Sequence, residues 1–77
     1  MERRILIFTD EQGDEIGRTE HDNSIINSLP RTGDSILEKT KLDFQEEEHV
    51  LQAFVELVEF DYNMGDVTIY AKVVRSA

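Results

Sequence analysis

The side chains of this chain that could do chemistry are two histidines, a large excess of carboxylates and a few serines. His21 and His49 are far apart in sequence, and neither belongs to a pair at metal-ligand spacing. Glu46, Glu47, Glu48 and His49 put carboxylate and imidazole groups in one run. Three consecutive glutamates point to different sides of any regular element, however, so the run defines no coordination geometry and reads as a solvated acidic turn. Asp61-Tyr62-Asn63-Met64-Gly65-Asp66 superficially looks like a calcium loop, but Gly65 falls at position five instead of six and Lys72 stands at position twelve, where a glutamate belongs. It is better read as a hairpin turn. Ser24, Ser28, Ser35 and Ser76 have no glycine elbow around them, and no Gly-rich phosphate cradle is present. Catalytic residues, a metal and a cofactor are therefore not expected, and the chain reads as a non-enzymatic protein.

The carboxylates matter more as a field than as acids and bases. Seventeen Asp and Glu against eight Lys and Arg give a formal charge of −9, which repels phosphates and anionic lipid at long range. Direct nucleic-acid and membrane binding are not expected; a basic protein partner is. The excess lies in two segments: Asp10, Glu11, Asp14, Glu15, Glu20 and Asp22 against Arg18, and Asp43, Glu46, Glu47, Glu48, Glu56, Glu59 and Asp61 with no basic residue between. If both face one way, the array would imitate DNA phosphates and fit a basic groove on a nucleic-acid enzyme. The plainer alternative is that net charge keeps a tiny domain soluble.

Aromatic residues give a second route to a protein partner. Phe60, Tyr62 and Tyr70 fall on what read as paired strands, and a shared outward face would make an apolar anchor. The competing reading is ordinary cross-strand packing. The expected interface uses Glu46, Glu47, Glu48, Glu56, Glu59 and Asp61 for steering, with Tyr62 or Tyr70 as its hot spot. A homo-oligomer formed through an exposed strand edge at Asp66 to Val74 is the alternative.

The elements that must position these residues come from a short chain. At 77 residues, 1–77 reads as a single domain with one thin core and little room for a deep substrate pocket. It contains no cysteine, so neither a disulfide framework nor a thiolate site is available, and a reducing cytoplasm is the simplest setting. The apolar run after Arg3-Arg4 is too short for a secretion signal or a membrane span.

Arg4 to Thr9 reads as a strand apolar on both faces, which belongs in the middle of a sheet. Asp10 to Glu15, with Gly13, is a turn, and Ile16 to His21 returns antiparallel, with Gly17 marking a bulge or a close backbone approach. Ile25, Ile26 and Leu29 suit either a short helical turn capped by Ser24 or an arm across an open barrel end. Pro30, Gly33 and Asp34 form a turn leading into a strand from Ser35. Residues 46–58 fit two periods. Val50, Leu51, Phe54, Leu57 and Val58 fall at helical spacing. As a strand, Leu51, Ala53, Val55 and Leu57 share one face, with Phe54, Val58 and Phe60 on the other. The long bent strand is the favoured reading. Ala53 to Tyr62, a turn at 63–66 and Val67 to Val73 make a final hairpin. The fold expected is all-β, with α+β as the alternative: a five-stranded half-open barrel, or a meander of two hairpins plus a central strand.

The Pro-x-x-Gly-Asp turn (Pro30, Gly33, Asp34) precedes a final pair that carries Val55, Val58, Phe60, Asp61, Tyr62, Val67, Ile69 and Tyr70. This order resembles uncharacterised small β-barrel proteins of bacterial and phage genomes, similar to Src-homology-3-like barrels, over roughly residues 4 to 74. The resemblance implies a five-stranded barrel and no particular activity or site. The acidic insert Asp43 to Glu48 departs from the compact pattern.

Overall fold

The computed structural model describes residues 3–22 and 29–76. The suggested Ser24 cap and the Ile25-Ile26 turn lie outside them. Five strands follow in order: β1 (Arg3–Thr9), β2 (Glu15–Asp22), β3 (Ser35–Thr40), β4 (His49–Asp61) and β5 (Asp66–Ser76). They form one sheet in the order β2-β1-β5-β4-β3, with every neighbouring pair antiparallel except the parallel pair β1 and β5. The sheet curls into a half-barrel. Residues 46–48 precede β4 as a loop, and the helical period of 46–58 is not used. Two hydrophobic neighbours flank β4 and repay extended pairing, which outweighs a weak helical propensity. Among the described residues no helix is long and apolar enough to cross a membrane.

Turn chemistry sets the corners. Gly13, Gly33 and Gly65 all have positive φ, the conformation a side chain penalises. Asp10 Oδ1 accepts the Gln12 and Asp14 amides, Asp34 Oδ2 accepts that of Arg31, and Asp61 Oδ1 accepts those of Asn63 and Met64. Each is an aspartate closing its own turn.

The inner face collects Leu6 and Phe8 of β1, Leu51, Ala53 and Val55 of β4, and Val67, Ile69 and Ala71 of β5, with Leu42 folded in from the β3–β4 loop. Burying one such large side chain contributes about 1.5–3 kcal/mol. β1 is covered on its other face too: Ile7 points outward yet is buried, between register neighbours Tyr70 and Arg18.

Three bulges bend the sheet without disturbing these faces. Ile16 is the extra residue between the pairs Phe8–Gly17 and Thr9–Glu15, Glu56 between Val55–Ala71 and Leu57–Tyr70, and Val74 between Ala53–Val73 and Gln52–Arg75. Such insertions add twist, which brings the two sheet edges β2 and β3 toward each other. Gly17 adjoins the Ile16 bulge, and it stands close to the β3–β4 loop: a Cβ there would lie 2.9 Å from Leu42 Cδ2 and 3.5 Å from Leu42 Cα.

Candidate functional site

Surface features gather at three places: the β4–β5 hairpin arm, the barrel end formed by the β1–β2 and β3–β4 loops, and the seam between the sheet edges. On the arm, the bulge at Glu56 decides what faces outward. Up to Val55 the odd-numbered residues of β4 face the core; beyond Glu56 the even-numbered Val58 and Phe60 do, and Leu57 is turned out to solvent. This corrects the alternation expected from the sequence, which kept Leu57 with Val55. Past the last core residue, Phe60 and Tyr62 stack on each other with centroids 6.3 Å apart and ring planes at 21°. They are 52% and 93% exposed, and Met64 is exposed at the tip. Glu56, Glu59 and Asp61 on the same stretch are exposed as well.

Tyr70 does not join this pair. It lies opposite Leu57, while Phe60 lies opposite Val67, so Tyr70 and Phe60 occupy opposite faces of the hairpin. The shared aromatic face expected from the sequence is therefore a pair, Phe60 and Tyr62. Burial first, and then the neighbouring Glu59 carboxylate, push the Tyr70 phenol above its ordinary range. The Asp66 to Val74 edge is corrected in the same way. β5 is an interior strand, flanked by β4 and, from Val67 to Lys72, by β1, so over that stretch it presents no open edge.

Strand directions put the β1–β2 turn and the β3–β4 loop at the same barrel end, and the Asp43 N–H donates to the Ile16 carbonyl at 2.8 Å across them. Asp10, Glu11, Asp14, Glu15, Asp43, Glu46, Glu47 and Glu48 thus share one pole. Glu15 is paired with Arg18 at 3.0 Å, and that contact raises the Arg18 pKa. Glu56, Glu59 and Asp61 belong elsewhere, since Asp61 ends the strand that Glu48 precedes. The eight residues expected to form one interface therefore divide: Glu46, Glu47 and Glu48 at the pole, Glu56, Glu59, Asp61 and Tyr62 on the arm, and Tyr70 on the arm's outer face. Other carboxylates are neutralised locally. Asp66 is buried and accepts the Arg3 backbone N–H at 3.1 Å and its guanidinium at 3.2 Å, while Glu20 meets the same guanidinium at 3.4 Å.

The seam holds a cleft of about 390 Å³ between β2 and β3, walled by Leu6, Leu29, Pro30, Ile36 and Ile69. Its polar groups are Arg4, Asp34 and the pair His21 Nε2 and Glu38 Oε1, 2.8 Å apart. Arg4 is almost fully buried, and desolvation lowers its pKa. His21 and Glu38 sit on the two outermost strands and tie them together. Sequence reasoning missed this pair, as it missed Leu57 and Met64: nothing local links residues 21 and 38. Among the described residues no group of three or more His, Cys, Asp or Glu is placed to hold a metal ion. In comparisons with known proteins, no family model matches the chain, and no curated protein or solved structure is significantly similar to it.

Proposed function

We propose that this protein acts in the cytoplasm as a non-enzymatic binding module, and that its β4–β5 arm docks on a basic protein partner. One observation carries the reading: the stacked Phe60–Tyr62 pair stands in solvent beyond the core, on an arm whose other exposed positions include Glu56, Glu59 and Asp61. Exposed apolar side chains grouped at one place favour a partner, aromatic residues dominate binding hot spots, and the surrounding carboxylates favour a cationic surface and speed its approach. Glu46, Glu47 and Glu48 contribute at a distance, through the long-range field of a chain with net charge −9.

The test is capture from a bacterial lysate with wild-type protein and a Phe60→Ser/Tyr62→Ser variant side by side, at low and high salt. The expected result is a basic protein retained by the wild type at low salt and lost by the variant. Equal recovery by both would overturn the reading. The acidic pole favours a second one, imitation of DNA at the opposite end of the barrel. In that case duplex DNA displaces the captured protein, and Glu46→Gln/Glu47→Gln/Glu48→Gln releases it while the aromatic variant does not.

A further inference from the structure

Beyond Val55 one edge of β4 is open. β3 pairs with β4 only as far as Ser35 opposite Phe54. Two further bonds end the contact, Gly33 N–H to the Val55 carbonyl at 2.8 Å and Val55 N–H to the Asp34 carbonyl at 2.9 Å. The turn then directs the chain away: Gly33 has a φ of 96°, the Asp34 N–H donates to the Arg31 carbonyl, and Pro30 has no N–H to donate. From Leu57 to Asp61 β4 is paired with β5 on one side. Among the described residues no strand pairs with it there on the other. Successive residues of a strand turn their N–H and C=O groups to alternate edges, so about half of these groups face the open side. Such an edge is a template for another strand.

The side chains along the edge indicate which strand fits. A hollow of about 380 Å³ lies beside it, between Leu29 and Pro30 on one side and Leu57, Val58 and Phe60 on the other. Val58 and Phe60 belong to the inner face of the sheet, and Leu57 and Glu59 to the outer, as does Asp61 by alternation. Residues directly opposite each other on paired strands share a face and touch. An added strand therefore sets one alternate set of its side chains against Val58 and Phe60 and the other against Glu59 and Asp61. The first set is matched by apolar residues and the second by cations. Glu56 is exposed at the bulge and adds to the negative charge. Arg31 also lines the hollow, but one guanidinium against three carboxylates leaves the edge acidic. Two copies pairing through this edge would set those carboxylates against one another, which disfavours self-association.

We infer that the open edge of β4 from Leu57 to Asp61 takes up an extended segment of the partner as an added strand, in which cationic and apolar residues alternate. The inference rests on the arm reading above and adds how the partner is held: main-chain hydrogen bonds supply affinity, and alternate side chains supply selectivity. At about 3.3 Å per residue the edge is about 16 Å long, the length of about five partner residues.

The probe is the peptide acetyl-Lys-Val-Lys-Val-Lys-Val-Lys-amide, titrated to about 1 mM into the full chain and followed by amide NMR. Shifts are expected at Leu57 to Asp61, together with slowed amide exchange there. Two N-methylated forms, one methylated at each Val and one at the internal Lys residues, each lose the donors of a single edge. One is expected to bind within about twofold of the parent and the other about tenfold or more weaker, because only one peptide edge faces β4. Glu59→Lys is expected to weaken the parent peptide by about tenfold. Equal binding of the two methylated forms overturns the inference, since charge alone does not distinguish the edges. So do shifts centred elsewhere, or no binding at about 1 mM. Lysate capture that needs Phe60 and Tyr62 while both methylated forms bind alike keeps the arm reading and removes the added strand. Capture that does not need them removes the arm reading itself.

Discussion

Thr19 and Tyr70 show how a single polar group on this sheet is satisfied or left wanting. Thr19 lies opposite Leu6 on the inner face, and its buried hydroxyl has no hydrogen-bond partner among the described residues. An unsatisfied buried hydroxyl costs about 1–3 kcal/mol. Thr19→Val keeps the branched shape and removes the hydroxyl, so it is expected to stabilise the fold by about 1 kcal/mol in urea titration; a loss of stability would mean that the hydroxyl has a partner in solution. Tyr70 presents the opposite case, a phenol held protonated by burial and by the Glu59 carboxylate. A group whose pKa is raised on folding binds its proton more tightly in the native state. Its contribution is therefore complete below the unfolded value near pH 10 and is lost as the pH rises through the higher folded value. Alkaline urea titrations are expected to show wild type losing more stability between about pH 9 and pH 11 than Tyr70→Phe does. Parallel losses would assign the alkaline transition to other groups.

At the scale of elements, the bulge at Glu56 separates what the residues announce from what they conceal. Because Val55 faces in, Leu57 out and Val58 in, deleting Glu56 restores a regular alternation with every inward residue still inward. The deletion variant is expected to fold, with a thermal midpoint within about 4–8 °C of wild type, the shift that 1 kcal/mol produces in a domain this small. Deleting Phe54 instead forces the bulge to be absorbed by turning Val55 out and Glu56 in, which buries a charge in place of a core side chain, and this variant is expected not to fold. Equal behaviour of the two deletions would show that the bulge is not where the strand changes face. The contrast also explains what was legible beforehand. Both hairpins, the central place of β1 and the turns at Asp10, Asp34 and Asp61 are written in local residue types: alternation, glycines at positive φ, and aspartates that close their own turns. A bulge made of Glu56 has no such mark. The shared face assigned to Phe60 and Tyr70 failed because strand register comes from pairing across the sheet. The His21–Glu38 tie and the division of the acidic residues between pole and arm depend on curling, which adds up small twists over the whole sheet.

For the whole molecule, the main question is what a net charge of −9 costs and where. The strand directions that give a mixed sheet also bring two acidic loops to one end, so the repulsion is concentrated there and not spread over the surface. Exposed charges interact over about 10 Å at 0.1 M salt and about 3 Å at 1 M. Glu46→Gln/Glu47→Gln/Glu48→Gln is therefore expected to raise stability at low ionic strength, with the gain shrinking toward zero as salt increases. The urea midpoints of wild type and variant, compared at the two extremes of salt, measure this directly. A gain that persists in high salt would mean the glutamates oppose folding through local backbone preference and not through charge. If there is no gain at any salt, the three carboxylates are already solvated well enough to ignore one another. In the expected case the pole is a standing cost that folding tolerates, and a surface kept at a cost to stability is where function is to be sought. The second reading of the pole, as an imitation of DNA, then becomes the one to test beside the arm.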